Sequence, residues 1–475
     1  MEGIGFTRQE IRHWIPATGN LPGKERMAFG AALLLGPVVV GLLVAHSSRL
    51  GLIFVAGALL VYLAVRSLAF PVALAGVPGI LIGLHGSDPL PAKGVFALLT
   101  AWLFLGLGIA LLSGAWPSSR WARRILAPPI LLIALLAVIL VVRLDPGAYP
   151  KTKIELFLAQ SVPLLIAGML IALRATTFRL FIFLTLAIAL ASAVVLAQHV
   201  SSNDATQIFA GRYTIGTNYN VISVGRTAAI GVLISLALIL GGFSKRASLV
   251  GYVSLPFLTV ALLASGSRGP VVALLAALVV LVVLVVQNRQ LRRRLAQIAV
   301  GLGAAVVIAP LIVPSSAVDR SASFLFGNAS GLSSNGRTQL WDQALSLFYS
   351  HFWTGVGTGG FANFAPPAIF YPHNIVLEAA AELGVLGAAV LVAFLLLALR
   401  TAFRTWRDAT TREDRVAAAL ILSILVATVV NSLLSDAMET TDTLCLVVGL
   451  AYGLHVRIRA RSLDSRGSPP DPAQT

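Results

Sequence analysis

Residues 125–142 read ILAPPILLIALLAVILVV, eighteen positions with no charged side chain among them. At 1.5 Å per residue, an α-helix of that length is about 27 Å long, matching the roughly 30 Å hydrocarbon core of a bilayer. Runs of the same kind recur on both sides. Apolar stretches near 27–46, 50–66, 68–85, 94–114, 156–173, 180–200, 221–242, 249–264, 270–287, 297–313, 376–399, 416–435 and 443–457 bring the set to fourteen. Of the 475 residues, 57% are hydrophobic and 11% charged, against about 25% charge in a soluble protein. The fold class that follows is all-α: a polytopic helical membrane protein of about 12–14 transmembrane helices, with one long outward loop containing short helices. The lower count treats the closely spaced pair at 50–85, which holds Pro71 and Pro78, as re-entrant and leaves every later loop on the same side.

A net charge of +16 invites a nucleic-acid reading, but its distribution excludes one. Basic residues fall on every second connection: Arg120, Arg123 and Arg124, then Arg174 and Arg179, then Lys245 and Arg246. The series continues through Arg289 and Arg292 to Arg294, then Arg400, Arg404 and Arg407, and ends at Arg457, Arg459 and Arg461. That alternation is the positive-inside bias. It places both termini in the cytoplasm, including the segment 1–26 with Arg8, Arg12, Lys24 and Arg26, which has no apolar core of a cleavable signal. The single cysteine, Cys445, sits in the last span and rules out an intramolecular disulfide. The proline-bearing tail at 458–475 is expected to be disordered and cytoplasmic.

Against this background one polar interruption stands out, at 314–375, between eleven spans in 27–313 and the C-terminal spans in 376–457. Arg337, Leu340, Trp341, Ala344, Leu345, Leu347 and Phe348 follow the spacing of an amphipathic helix, expected over 336–348. A glycine cluster follows at Gly355, Gly357, Gly359 and Gly360. It is no dinucleotide fingerprint, since no strand–helix unit surrounds it, and it is expected to form a tight turn offering backbone amides to a substrate. Next come Pro372, His373 and Asn374 at the mouth of the following helix, with Glu378 and Glu382 on one face. Histidine is the side chain suited to proton transfer near neutral pH, although a lone histidine is more often structural. Glu378 either orients the imidazole or belongs to a buried ion pair. The loop's other acids, Asp319 and Asp342, show no metal-ligand spacing, so no metal site and no cofactor are expected.

Upstream, the outward loop before the eighth span carries Arg212 and ends at Asn220, a helix N-cap and a candidate anion site. Arg226 falls roughly 9 Å into that span, where a charge is either functional or structurally paired. Arg268 occupies a second small-residue turn, Ser265 to Pro270, on the same outward side. Guanidinium forks suit phosphate, so two such turns point to a diphosphate at the outer membrane surface. Lys151 and Lys153, between Asp145 and Glu155, read as solvated loop charges.

The combination of Arg337, Thr338, Leu340 and Trp341 with Gly355-x-Gly357-x-Gly359-x-Phe361 and Pro372-His373-Asn374-x-x-Leu377-Glu378-x-x-x-Glu382-x-Gly384 resembles the O-antigen ligase/polymerase superfamily. Arg212-x-x-x-Gly216-x-x-x-Asn220 is similar to that family's arginine–glycine–asparagine loop, and Ser267-Arg268-Gly269 to its second arginine turn. The resemblance covers roughly 205–395. Tyr219 stands where a proline is common, and Arg226 has no counterpart. The resemblance implies a metal-independent glycosyltransferase of the bacterial inner membrane. Such an enzyme moves a glycan from undecaprenyl diphosphate to an acceptor hydroxyl on the periplasmic side, the acceptor being lipid A-core or another glycan. It implies Arg212, Arg268 and His373 as catalytic, with Arg337, Asn220, Asn374 and Glu378 as substrate-binding residues; Arg226 joins the substrate-binding candidates on its position inside the span alone.

A polymerase of lipid-linked repeat units shares the donor and remains open on these residues, as does protein O-glycosylation. A secondary transporter, the reading from another class, would place paired charges near the bilayer midplane. Here the notable charges other than Arg226 cluster at the outer surface.

Overall fold

The structure, a computed structural model, describes residues 62–75, 89–201, 221–241, 244–285, 337–367 and 369–467, with isolated positions at 296, 298, 299 and 303. The expected spans at 27–46 and 297–313, most of 50–66, and the candidates Arg212 and Asn220 lie outside the described residues. All helices named below belong to the compact unit Ala64–Thr475.

The elements are α1 (Ala69–Ala75), α2 (Pro89–Leu112), α3 (Arg120–Val142), α4 (Ala148–Leu156), α5 (Val162–Leu173), α6 (Ala175–Ser201), α7 (Val221–Gly241), α8 (Lys245–Ala264) and α9 (Arg268–Val285). They continue as α10 (Arg337–Ser350), α11 (Ile375–Asp408), α12 (Arg412–Ser435) and α13 (Asp442–Gly467). A π-helical turn at Phe157–Ser161 joins α4 to α5 into one continuous rod. Short 3₁₀ turns occupy Gly360–Asn363 and Met438–Thr440. Among the described residues there is no strand, and eight helices are long and apolar enough to cross a membrane. Ala97–Leu112 and Arg268–Leu284 are shorter apolar helices.

Packing follows the membrane logic of small residues between helices and large ones facing lipid. Gly168 on α5 and Gly449 and Gly453 on α13 let those two backbones touch. Leu131, Val138, Phe257, Val279, Val283 and Leu396 are each more than half exposed, as the lipid side of a bundle requires.

Ion pairs and hydrogen bonds tie the helix ends together. At one end Arg179 pairs with Glu413, Arg412 donates to the Leu240 carbonyl oxygen at 3.1 Å, and Arg461 reaches both oxygens of Asp414 at 2.9 and 2.7 Å. Of the basic connections counted in the sequence, those holding Arg179 and Arg461 thus meet at this end through Glu413 and Asp414. Those contacts also carry α13 as a helix to Gly467, ten residues past its expected end at 457, where a disordered tail was anticipated.

At the opposite end α11 is not one straight rod. Gly384 has φ +68°, and a Cβ there would lie 2.6 Å from the Trp353 carbonyl oxygen. The opening turns Ile375 to Leu383 therefore stand apart from the long span, and Val385 N donates to the Phe352 carbonyl oxygen at 2.8 Å. This break aims the start of α11 into the site.

Candidate functional site

Arg268 opens α9 directly after the turn at Ser265–Ser267, in which Gly266 takes φ +58°. The turn is wedged between neighbours. A Cβ on Gly225 of α7 would meet Ser265 Oγ at 2.9 Å and Pro270 at 3.0 Å, and one on Gly269 would meet Ser435 Oγ at 2.6 Å. Small residues thus bring the ends of α7, α9 and α12 together with Arg268 half-buried among them.

Arg226, one turn into α7, forms an ion pair with Asp436, where α12 ends. Asp436 also accepts from Ser432 Oγ at 2.8 Å. With its amide oxygen turned toward Arg226, Asn431 accepts from Nε and Nη2 at 3.2 and 2.9 Å. The guanidinium is 14% exposed and tied to α12, so of the two sequence readings the structurally paired one describes what this side chain does.

Arg337 begins α10, within electrostatic range of Arg268. Burial, together with the Arg268 guanidinium, makes Arg337 a weaker base than an ordinary arginine, while Tyr371 opposes that change. Two cations within electrostatic range of each other suit a multiply charged anion. The phenol of Tyr371 is pushed up to about 12, first by burial and then by Glu439, Glu378 and Asp436, so it stays a neutral hydroxyl at physiological pH.

Tyr371 meets the His373 ring edge-on, with centroids 4.6 Å apart. His373 is also the one non-glycine residue with positive φ, +58°, among the described residues. A left-handed histidine is strained, and such strain concentrates where a side chain must be aimed. Trp341 holds it there by donating its indole N–H to the Pro372 carbonyl oxygen at 3.0 Å. Asn374 caps α11, its Oδ1 accepting from Val376 N and Leu377 N at 3.0 and 3.1 Å. Its Oδ1 is thereby taken up by the cap.

The structure corrects three expectations. The glycine cluster offers no amides: Gly355 N donates to His351 O, Val356 N to Ala381 O, Gly357 N to Glu382 O, Thr358 N to Arg143 O and Gly360 N to Gly357 O. Gly359 N donates to the Glu382 carboxylate at 2.8 Å. The cluster is a clamp between α3 and α11, and glycine is required because Gly355 (φ +64°) presses against the Glu382 backbone. Glu378, expected to touch substrate, is fully buried. It pairs with Lys153 and accepts from Met438 N at 2.9 Å. Lys153, read as a solvated loop charge, is also fully buried, with Nζ 2.7 Å from Glu382 as well.

Asp436 and Glu439 escaped the sequence reading, and Lys153 figured in it only as a loop charge. A signal for Lys153 existed: Pro150, Lys153, Ile154, Phe157, Gln160 and Ser161 share one helical stripe and are all buried. Glu439, in the turn between α12 and α13, faces Tyr149, and burial raises its carboxyl above the usual range. Among the described residues no three histidine, cysteine, aspartate or glutamate side chains form a metal-holding group.

Residues 252–392 match the family model described as O-Antigen ligase. The match takes in Arg268, Arg337, His373, Asn374 and Glu378, whereas Arg226 precedes it. No curated protein matches the chain by sequence. A solved structure titled "Structural coordination of polymerization and crosslinking by a peptidoglycan synthase complex" is 17% identical, covering 73% of this chain and 99% of that one. Its TM-score is 0.42, too low to support an argument.

Proposed function

We propose, for a multi-pass membrane protein whose residues 252–392 match the O-Antigen ligase family model, that it transfers a glycan from undecaprenyl diphosphate to an acceptor hydroxyl. The reaction takes place at the periplasmic end of the bundle, in the inner membrane, with both termini cytoplasmic. The observation that carries this is the placement of Arg337 within electrostatic range of both Arg268 and Tyr371, with Tyr371 packed against His373 at the mouth of α11.

In the reaction the acceptor oxygen forms a bond to the anomeric carbon as the bond from that carbon to the diphosphate breaks. The electron pair leaves with undecaprenyl diphosphate, and Arg268 and Arg337 stabilise the charge it gathers. His373 accepts the acceptor's proton, which makes the attacking oxygen a better nucleophile. Tyr371, as a neutral phenol, packs against the imidazole and fixes its plane. Arg212 and Asn220 supply further anion contacts from the preceding outward loop. Fixed arginines serve in place of a metal ion, so the transfer is metal-independent.

Lipid A-core is the acceptor in this reading, and the test is the glycolipid content of a deletion strain. Long glycan chains accumulating on the carrier are the expected result. Single repeat units on the carrier would instead assign the polymerase reaction, and an unchanged carrier pool would overturn both.

A further inference from the structure

The most heavily charged buried spot in the described structure is not used by the chemistry above. Lys153 Nζ lies between two carboxylates of α11, paired with Glu378 and 2.7 Å from Glu382 Oε2, and all three side chains are fully buried. Each carboxylate also grips a separate loop. Glu382 Oε2 accepts from Gly359 N at 2.8 Å, closing the glycine clamp, and Glu378 Oε2 accepts from Met438 N at 2.9 Å, fixing the turn that carries Glu439. One ammonium group therefore binds α4, α11, the clamp and the turn together within about two and a half helical turns of His373.

We infer that Lys153 is a positioning residue of the transfer site, its charge keeping the clamp and the Met438 turn closed on α11 so that His373 meets the acceptor. Its part in transfer rests on the glycosyltransferase reading, whereas its part in closing the clamp does not. Removing one partner of a buried ion pair leaves uncompensated charge, and a buried carboxylate without its cation draws in water. Replacing all three charges by neutral groups of similar size leaves nothing to compensate, because glutamine still accepts a hydrogen bond from a backbone amide. A role in packing alone would not be rescued in this way.

The test uses the full-length chain in membranes of the deletion strain. Thr358→Cys serves as the reporter, because Thr358 is fully buried in the clamp, and the parent chain with its buried Cys445 sets the background. Lys153→Met should raise maleimide labelling at position 358 by about tenfold or more and lower glycan transfer by roughly 10²-fold at equal membrane abundance. The neutral variant K153M/E378Q/E382Q should return both toward the parent values.

Slow labelling together with normal transfer in Lys153→Met would overturn the inference, and so would a neutral variant that stays open. If Lys153→Met fails to accumulate, recovery of abundance in the neutral variant supports the charge argument and its failure sinks it. A parent chain that transfers no glycan defeats the functional reading alone, since labelling still reports on the clamp.

Discussion

The indole N–H of Trp341 donates to the Pro372 carbonyl oxygen at 3.0 Å, one residue before the left-handed His373. A side chain of the surface helix α10 thus holds the backbone that aims the imidazole. Trp341→Phe keeps the ring but deletes the donor, removing a hydrogen bond worth about 1 kcal/mol. Transfer should fall about tenfold, as expected when a reacting group is misplaced slightly. Glycan transfer in membranes at matched abundance measures this, and unchanged transfer would show that His373 holds its conformation unaided.

His373→Asn separates chemistry from strain. Asparagine tolerates a left-handed backbone, so the fold should keep its thermal stability while transfer drops roughly 10²–10⁴-fold for want of a base. Melting of the purified chain and transfer in cells together read out the two effects. An active asparagine variant would remove His373 from the mechanism.

For the arginine pair, Arg268→Ala and Arg337→Ala should each lower transfer roughly 10²–10³-fold. Lysine at either position keeps the charge but loses the planar fork, and should recover only part of the loss. Their double variant should deviate from additivity, because the two groups act on one diphosphate. Transfer should also survive EDTA, and dependence on a divalent cation would overturn the metal-independent mechanism.

Glu439 makes a prediction in pH. Its carboxyl is raised above the ordinary value of 4.5, chiefly by burial, so the folded chain holds a proton that the unfolded chain has released. That contribution is full below 4.5 and is lost as pH climbs through the raised value. Thermal stability should therefore fall more between pH 5 and pH 8 in the parent than in Glu439→Gln. Equal slopes would refute the assignment.

Much of the fold was legible in one dimension because lipid imposes a one-dimensional rule: each span must be long, apolar and hydrogen-bonded within itself. The run at 125–142 makes up most of α3, and that at 376–399 makes up most of α11, though broken at Gly384. The helix expected over 336–348 forms as Arg337–Ser350, with Leu340, Ala344 and Leu347 buried as its spacing required. His373 and the arginine turns were visible because polar side chains are conspicuous in an apolar chain.

What the sequence by itself determined, then, was the all-helical membrane class and the places of the eight long apolar helices among the described residues. Only the tertiary structure decided what the polar groups do to one another. Lys153, at the near edge of a span, looks identical in sequence whether it meets water or the carboxylates of Glu378 and Glu382, more than two hundred residues away. The glycine cluster reads equally as an anion cradle or as a clamp until α3 and α11 supply the acceptors for its amides. Periodicity and hydropathy are local properties of the chain, whereas the pairing of buried charges and backbone amides depends on distances that only packing creates.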